Sequence, residues 1–246
     1  MGKTIVITGA GVGLGRALAR RFAREGETAI LLGRTYSKVQ ELADELGEPH
    51  FAVECDVGQP DSVRAAFAKI AGRHAKIDVL INNAAVYEPF MVANATDEQI
   101  LSIMNTNFAG PIFTSRAAIP MMDRGAAIIN VTSESVGLEF PMLSLYASTK
   151  TGLERFSESL SAELQPQGIR VTTVRAGPMY EEGKMMNMNW DPEAAQQFYQ
   201  LCLASGIDLG KRPISNVTSV TDVFRALIDL PADVRVTHAS IEARHA

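Results

Sequence analysis

A glycine-rich stretch near the N-terminus has the residue types that a phosphate-binding loop needs. Residues 8–15 read Thr-Gly-Ala-Gly-Val-Gly-Leu-Gly and lie between an apolar segment and a helical pattern that begins at Leu14. Glycines let a phosphate approach the backbone without interference from Cβ atoms, and the N–H groups at the start of a helix can donate to it. No Gly-Lys-Ser/Thr sequence follows, which excludes a P-loop. The position between strand and helix favours a dinucleotide site.

The end of the second predicted strand carries a base where dinucleotide sites commonly carry an acid. A carboxylate about 20 residues further on normally holds the adenosine ribose of NAD. This chain has Gly33 and Arg34 there, and Gly33 is expected to leave space where the acid would stand. A guanidinium can form charge-assisted hydrogen bonds with a 2′-phosphate. Arg16 adds a second cation, and Thr35 and Ser37 supply hydroxyls. The sequence predicts NADP(H); the alternative is an Arg34 that only caps the strand end in solvent.

A second group of polar residues lies in the middle of the chain. Tyr146 and Lys150 are four residues apart on a predicted helix, so their side chains lie on one helix face. Ser133 follows the fifth predicted strand, at the sheet edge where open α/β folds bind ligands. Taken singly, each residue fits an ordinary surface position, and Tyr-x-x-x-Lys alone also occurs by chance.

The elements that must position these residues alternate along the chain. Short, almost continuously apolar segments are predicted as strands at 4–8, 28–32, 50–55, 77–82, 126–132, 169–175 and 234–242. Helices are predicted at 14–25, 37–46, 61–72, 97–122, 145–164 and 192–203. This alternation implies right-handed crossovers. We therefore expect one α/β domain over residues 1–246, a doubly wound Rossmann-type parallel sheet of about seven strands with helices on both faces.

Composition excludes several classes of function. The chain has 23 Lys and Arg against 28 Asp and Glu, a net charge of −5, which argues against a nucleic-acid binder with a generally basic surface. No apolar run approaches the ~20 residues of a membrane-spanning helix, and the N-terminus shows no secretory signal, so a cytoplasmic protein is expected. Two cysteines and four scattered histidines predict neither a disulfide framework nor a metal site.

Together the motifs resemble those of a known family. In chain order they are TGxxxGxG at 8–15, Asn-Asn-Ala-Ala at 82–85, Asn107, Ser133 and Tyr-Ala-Ser-Thr-Lys at 146–150. This set resembles the short-chain dehydrogenase/reductase family over essentially the whole chain, most strongly over about 1–178. The set is specific for the family and almost silent on the substrate.

The resemblance implies a role for each residue of the second group. Tyr146 matches the family's general acid/base, and Lys150 matches the lysine that lowers the tyrosine pKa and binds the nicotinamide ribose. Ser133 matches the hydroxyl that holds the substrate oxygen. Asn107 matches the helix-bending asparagine that holds a water of the proton relay.

The resemblance also implies a set of cofactor contacts. They are Gly9, Val12, Gly13 and Leu14 in the phosphate loop, Arg34, Asp56 and Val57 beside the adenosine, Asn83, Tyr146, Lys150, Gly177 and Met179. Three positions depart from the family pattern. Ala85 replaces a glycine, which is expected to have no effect. Ala176 and Glu181 stand where a proline and a threonine are common, which changes the expected surroundings of the nicotinamide.

The substrate side is predicted more coarsely. Residues 177–213 are irregular in composition and are expected to form a lid. Apolar residues in 86–87, 138–143 and 185–190 are expected to line a pocket; the alternative is that they pack a surface lid or a subunit contact. Acidic residues are expected at the entrance of this pocket, opposed there only by Lys184; they are Glu134, Glu139, Glu181 and Glu182. Their charge predicts that the substrate is a neutral or apolar carbonyl compound or alcohol.

Three functions remain open from the sequence. The first is an NADP-dependent oxidoreductase of the carbonyl reductase or alcohol dehydrogenase type. The others are an epimerase or dehydratase of the related extended group, and an inactive protein that senses its cofactor. The family commonly forms homodimers or homotetramers through two long helices. Phe113, Phe156 and Leu160 are the candidate contacts here.

Overall fold

Residues 2–183, 190–231 and 233–244 are described by the structure, a computed structural model. The strands are β1 (Thr4–Thr8), β2 (Thr28–Gly33), β3 (Phe51–Glu54), β4 (Val79–Asn82), β5 (Ala127–Ser133), β6 (Arg170–Ala176), β7 (Met179–Tyr180), β8 (Ser215–Asn216) and β9 (His238–Ile241). The α-helices are α1 (Gly13–Arg24), α2 (Tyr36–Leu46), α3 (Pro60–Ala71), α4 (Asp97–Met104), α5 (Gly110–Ala118), α6 (Ser144–Leu164), α7 (Pro192–Ala204) and α8 (Val217–Ile228).

Seven strands form one parallel sheet in the order β3-β2-β1-β4-β5-β6-β9, and β7 and β8 form a separate parallel pair. The predicted doubly wound Rossmann-type fold is confirmed. The strand order reverses at β1, which pairs with β2 on one side and β4 on the other. The crevice at the carboxyl ends of these strands is where open α/β sheets bind ligands.

Each face of the sheet is covered by its own apolar core. Ile5 and Ile7 pack with α1, α2 and α8 on one face, whereas Val6 packs with α3, α5 and α6 on the other. This alternation follows from the two-residue period of a strand. Leu160 is 5% exposed and belongs to the second core, so its assignment as a subunit contact is wrong.

The single helix predicted at 97–122 is interrupted in the structure. Between α4 and α5, residues Asn105–Ala109 form a turn of π-helix in which the Gly110 N–H donates to the Asn105 carbonyl. The cause is local, because Pro111 has no N–H to give to the carbonyl of Asn107 four residues earlier. The interruption places Asn107, which is fully buried, beside the loop that follows β4.

Helix α8 was not predicted, although its sequence carries the signal. Val217, Val220, Phe224 and Leu227 recur at helical spacing and are buried. The Asn216 side chain accepts from the Thr218 N–H and caps the helix. The other predicted elements are present with shifted ends. Among the described residues, no helix has both the length and the apolar character to cross a membrane.

Candidate active site

The glycine loop between β1 and α1 has backbone geometry that side chains would disturb. Gly9 and Gly13 have φ angles of +65° and +53°, where L-residues are strained. A Cβ on Gly15 would lie 2.4 Å from the Gly9 carbonyl oxygen. Val12 is the N-cap of α1, and its side chain cannot accept the N–H groups of the first turn. Leu14 anchors this turn in the core. The loop thus offers backbone donors beside a Cβ-free surface, which fits a dinucleotide pyrophosphate.

Asn83, directly after β4, fixes the glycine loop. Its side-chain Nδ2 donates to the carbonyl oxygens of Thr8 and Gly9 at 3.0 and 3.3 Å. The Thr8 hydroxyl accepts in return from the N–H groups of Asn83 and Ala84, both at 3.0 Å. These bonds join the ends of the two strands that border the crevice. The structure therefore shows Asn83 in contact with the loop, as the resemblance implied.

The adenosine end of the crevice differs from the prediction in two ways. Gly33 does not leave space for an acid, because a Cβ there would lie 2.7 Å from Cγ1 of the buried Val39. A Cβ on Gly11 would lie 3.0 Å from Cβ of Lys38, so this lysine begins beside the glycine loop. Arg34 is exposed at the end of β2. Lys38 is therefore a second candidate cation at this end, and the sequence did not indicate it because its closeness to Gly11 depends on how α2 packs.

Arg16 is occupied elsewhere. Its Nη2 lies 2.5 Å from Oε2 of Glu181, and both side chains are largely buried. The structure therefore contradicts its assignment as a second cation for a 2′-phosphate. The ion pair instead connects helix α1 to the segment after β7, at the position where the family commonly has threonine.

The remaining predicted cofactor residues lie along the same edge of the sheet. Asp56 accepts the Gly58 N–H at 3.0 Å, which shapes the turn after β3, and Val57 is buried beside it. Gly177 donates its N–H to the Ile241 carbonyl at 3.0 Å. Met179 begins β7 and packs partly against the first core. These four residues border the crevice through backbone segments that β3, β6 and β9 hold in place.

Ser133, Tyr146 and Lys150 are brought together at the end of β5. Ser133 is the last residue of β5, and its Oγ accepts the Ser135 N–H at 3.2 Å. Tyr146 and Lys150 lie on the first turns of α6. The Lys150 Nζ lies 5.7 Å from the Tyr146 ring centroid and donates to the Val131 carbonyl at 2.9 Å. The predicted grouping of these three side chains is what the structure shows.

Burial shifts the pKa values of the tyrosine and the lysine in opposite directions. Burial raises the pKa of Tyr146 to about 12, and a hydrogen bond with Ser133 acts against this rise. Burial lowers the pKa of Lys150 to about 8. Desolvation disfavours the charged form in both cases, so the phenol keeps its proton and the ammonium loses its proton more readily. A tyrosine and a lysine with shifted pKa values in a crevice are typical of proton-transfer sites.

The oxygen and the nitrogen of the Asn107 side-chain amide both form hydrogen bonds with the backbone of Val86. Nδ2 donates to the Val86 carbonyl at 2.7 Å, and Oδ1 accepts the Val86 N–H at 2.8 Å. The side chain therefore fixes the loop after β4, next to Tyr87. The position of Asn107 as the holder of a relay water, implied by the family resemblance, stays a prediction.

An aromatic wall covers Tyr146 from the substrate side. The Tyr87 and Tyr146 rings have centroids 5.4 Å apart, and Trp190 meets Tyr87 edge-on at 5.3 Å. The Trp190 Nε1 donates to the Tyr87 carbonyl at 3.0 Å. Phe198 of α7 packs on Trp190. The predicted pocket residues Tyr87 and Trp190 thus meet at the tyrosine, whereas residues 185–189 lie outside the described part of the chain.

The prediction that the carboxylates at the pocket entrance are opposed only by Lys184 is wrong. Glu134 and Glu181, which were expected to face only Lys184, pair with Arg212 and Arg16 respectively. Lys184 itself lies outside the described residues. The sequence could not show these pairs, because Arg212 and Glu134 are far apart in the chain. Among the described residues, no group of three His, Cys, Asp or Glu side chains could hold a metal ion.

Comparisons with known proteins agree with this geometry. A family model described as "short chain dehydrogenase" matches residues 3–192. An uncharacterized short-chain type dehydrogenase/reductase, y4vI, of Sinorhizobium fredii is 39% identical over 178 residues, or 72% of this chain and 32% of that one. Serine 3-dehydrogenase of Agrobacterium fabrum is 30% identical over 207 residues, or 81% of each protein.

A solved structure is similar over nearly the whole length. The closed form of serine dehydrogenase complexed with NADP+ has a TM-score of 0.80 and 27% identity, and the match covers 97% of this chain and 94% of that one. The match with y4vI spans about a third of that protein, whereas the serine dehydrogenases match over most of their length. The chain belongs to the short-chain dehydrogenase/reductase family of oxidoreductases.

Proposed function

We propose that the protein is an NADP(H)-dependent oxidoreductase that interconverts a ketone or aldehyde and the corresponding alcohol. The observation that carries this proposal is the grouping of Ser133, Tyr146 and Lys150 at the carboxyl end of β5, beside the crevice that begins at the glycine loop. When bound there, a nicotinamide cofactor supplies or accepts the hydride. The chain itself has to hold the substrate oxygen and move a proton to or from it.

Tyr146 is the proton donor in the direction of reduction. Because burial raises the pKa of Tyr146 to about 12, the phenol is protonated at neutral pH and ready to donate. The Ser135 N–H occupies a lone pair of the Ser133 hydroxyl, which leaves its proton for the substrate oxygen or the tyrosine. Lys150, whose pKa of about 8 keeps it mainly charged at pH 7, stabilises the phenolate that forms. In this proposal a relay water beside Asn107 returns a proton to Tyr146.

The glycine loop and Asn83 fit a dinucleotide, and the surroundings of Gly11 fit the phosphorylated form. Arg34 and Lys38 place two cations at this end, where NAD-binding sites commonly carry an acid. Two positive charges favour a 2′-phosphate over a hydroxyl. The serine dehydrogenase complexed with NADP+ supports the same choice.

The segment after β6 covers the substrate in this proposal. Its described parts, 177–183 and 190–213, contact the active-site loops through Glu181, Trp190 and Arg212. Such a cover excludes water from the reacting carbonyl. We also propose a homodimer or homotetramer assembled through α4, α5 and α6, with the partly exposed Phe113 and Phe156 in the contact.

The decisive experiment is NADPH oxidation with a panel of neutral ketones and aldehydes. An oxidoreductase consumes NADPH in proportion to alcohol formed, whereas an epimerase shows no net turnover and an inactive sensor binds without reaction. The Tyr146→Phe variant serves as the control, since it keeps the ring and removes the proton. Net turnover that depends on the Tyr146 hydroxyl supports the proposal, and its absence with every carbonyl contradicts it.

A further inference from the structure

Arg212 forms an ion pair with Glu134, the residue that follows Ser133. The two carboxylate oxygens of Glu134 accept from Nη1 and Nη2 of Arg212 at 2.7 and 2.5 Å. The two side chains are 19% and 25% exposed. A bidentate pair that is partly withdrawn from water is stronger and more directional than a surface ion pair.

This pair borders the apolar cluster on the substrate side, and its Glu134 end also lies beside Gly177, where an added Cβ would be 3.6 Å from Oε2 of Glu134. The Arg212 guanidinium lies 5.5 Å from the centroid of Phe140, which packs against Phe198. Both rings belong to the apolar cluster that also contains Tyr146 and Trp190. Glu134 is also close enough to Tyr146 to raise its pKa. A substrate that reaches the Tyr146 hydroxyl past the aromatic wall therefore comes near the Arg212–Glu134 pair.

Arg212 is the group at this site that could bind a substrate carboxylate. Its planar fork matches a carboxylate bidentately, which is the geometry that Glu134 already occupies. An incoming carboxylate would be repelled by Glu134, or would displace it and leave a partly buried negative charge without its partner. A neutral substrate meets neither cost, because the pair as a whole carries no net charge.

We propose that Glu134 is a specificity-determining residue that occupies Arg212 and thereby restricts the enzyme to uncharged carbonyl compounds. Removal of the Glu134 charge frees Arg212 as a receptor for keto acids. The inference rests on the proposed carbonyl reductase function. Anionic substrates are then excluded because Glu134 already occupies Arg212, and not because the pocket entrance carries an excess of negative charge.

The test compares an acid with its isosteric amide. We would measure kcat/KM with NADPH for para-acetylbenzoate and para-acetylbenzamide, and for the shorter pair acetoacetate and acetoacetamide, in wild type, Glu134→Gln and Glu134→Gln/Arg212→Gln. Within each variant the acid-to-amide ratio cancels changes in proton transfer by Ser133 and Tyr146. In wild type the amide should be preferred at least about tenfold. Glu134→Gln should raise the acid-to-amide ratio about tenfold or more, as expected for one charge-assisted hydrogen bond, and the double variant should reverse the gain.

A matched control uses a second bidentate pair. Arg175 donates from Nε and Nη2 to the two carboxylate oxygens of Glu154 at 3.1 and 2.8 Å, so Glu154→Gln removes the same charge from another bidentate pair. This variant should leave the acid-to-amide ratio unchanged. An equal shift in Glu154→Gln would show a general charge effect and would overturn the assignment of Glu134.

The outcomes separate the inference from the function on which it rests. Amide reduction with an unchanged ratio in Glu134→Gln, or a wild type that reduces acids as well as amides, overturns the inference and leaves the reductase function standing. The wild-type ratio needs no variant, so the inference stays open to contradiction even if Glu134→Gln does not fold. Failure of every carbonyl to consume NADPH contradicts the function itself.

Discussion

The cofactor side and the substrate side of the crevice are built in different ways. On the cofactor side, the glycine loop is held by backbone geometry and by Asn83, over the ends of adjacent strands β1 and β4. On the substrate side, the segment after β6 is held by side-chain contacts between residues far apart in the sequence, as in Glu134–Arg212 and Trp190–Tyr87.

The difference follows from what each side has to recognise. A pyrophosphate is bound by backbone N–H groups, so the sequence must supply glycines at set spacings. A substrate is selected by the shape and charge of side chains, which can come from any element that reaches the site. Substitutions on the cofactor side should therefore change cofactor binding or stability. Substitutions on the substrate side should change the choice and affinity of the carbonyl compound.

The largest effect is expected where the two sides meet, at Tyr146. Tyr146→Phe should reduce kcat at least ~100-fold, since it removes the proton donor, while the NADPH dissociation constant stays within a few-fold. Steady-state kinetics and fluorescence titration measure the two quantities. The control is Tyr87→Phe, which removes the hydroxyl of the neighbouring tyrosine and should keep most of the activity. Near wild-type turnover of Tyr146→Phe would rule out the assigned role.

The next effect tests the cofactor side at its adenosine end. Arg34→Gln should reduce the preference for NADPH over NADH by about 10- to 150-fold, as expected from ~1.5–3 kcal/mol for a charge-assisted hydrogen bond. The ratio of kcat/KM values for the two cofactors measures it. Arg16→Gln should not change this ratio, because Arg16 pairs with Glu181. A wild type that prefers NADH contradicts the NADP assignment.

A glycine substitution tests whether the loop depends on close backbone approach. Gly15→Ala places a Cβ 2.4 Å from the Gly9 oxygen and should lower the free energy of unfolding by about 1–3 kcal/mol. Gly72→Ala is the control, because its nearest neighbour, the Lys69 carbonyl oxygen, is 3.5 Å away. Urea denaturation of both variants measures the difference. Equal stability of the two would show that the loop can move aside.

The buried lysine should make stability depend on pH. Because the pKa of Lys150 is lowered to about 8, the folded protein binds fewer protons than the unfolded chain between pH 8 and the ordinary lysine pKa near 10.5. The free energy of unfolding of wild type should therefore rise with pH in this range relative to Lys150→Met, by at most ~1.4 kcal/mol per pH unit. Denaturation curves of the cofactor-free proteins at pH 7 to 10 test this, and parallel pH profiles contradict it.

The smallest effect concerns one hydrogen bond on the substrate side. Trp190→Phe keeps an aromatic ring but loses the donor to the Tyr87 carbonyl. The substrate KM should rise about 2- to 10-fold, as expected for one neutral hydrogen bond, with cofactor affinity unchanged. Tyr199→Phe, at an exposed position of α7, is the control. A change in cofactor affinity instead of KM would mean that the two sides are not separate.

Sequence patterns alone predicted the seven-strand sheet, the glycine loop and the grouping of Ser133, Tyr146 and Lys150. These depend on local patterns, namely apolar periodicity, glycines at a turn, and a tyrosine and lysine one helical turn apart. Two errors in the predicted elements were local in origin as well. Pro111 divides the helix predicted at 97–122, and the helical spacing that begins at Val217 forms α8, which the predicted elements lack.

Which charged and aromatic side chains meet depends on the tertiary fold. Arg16 reaches Glu181 rather than the cofactor, Lys38 lies beside Gly11, and Gly33 is closed off by Val39. Such contacts join residues whose separation in the chain has no fixed relation to their separation in space. They depend on how helices pack on the sheet and how the segment after β6 folds back over it. The substrate side is made of such contacts, because no repeating pattern in the sequence encodes an ion pair between distant elements.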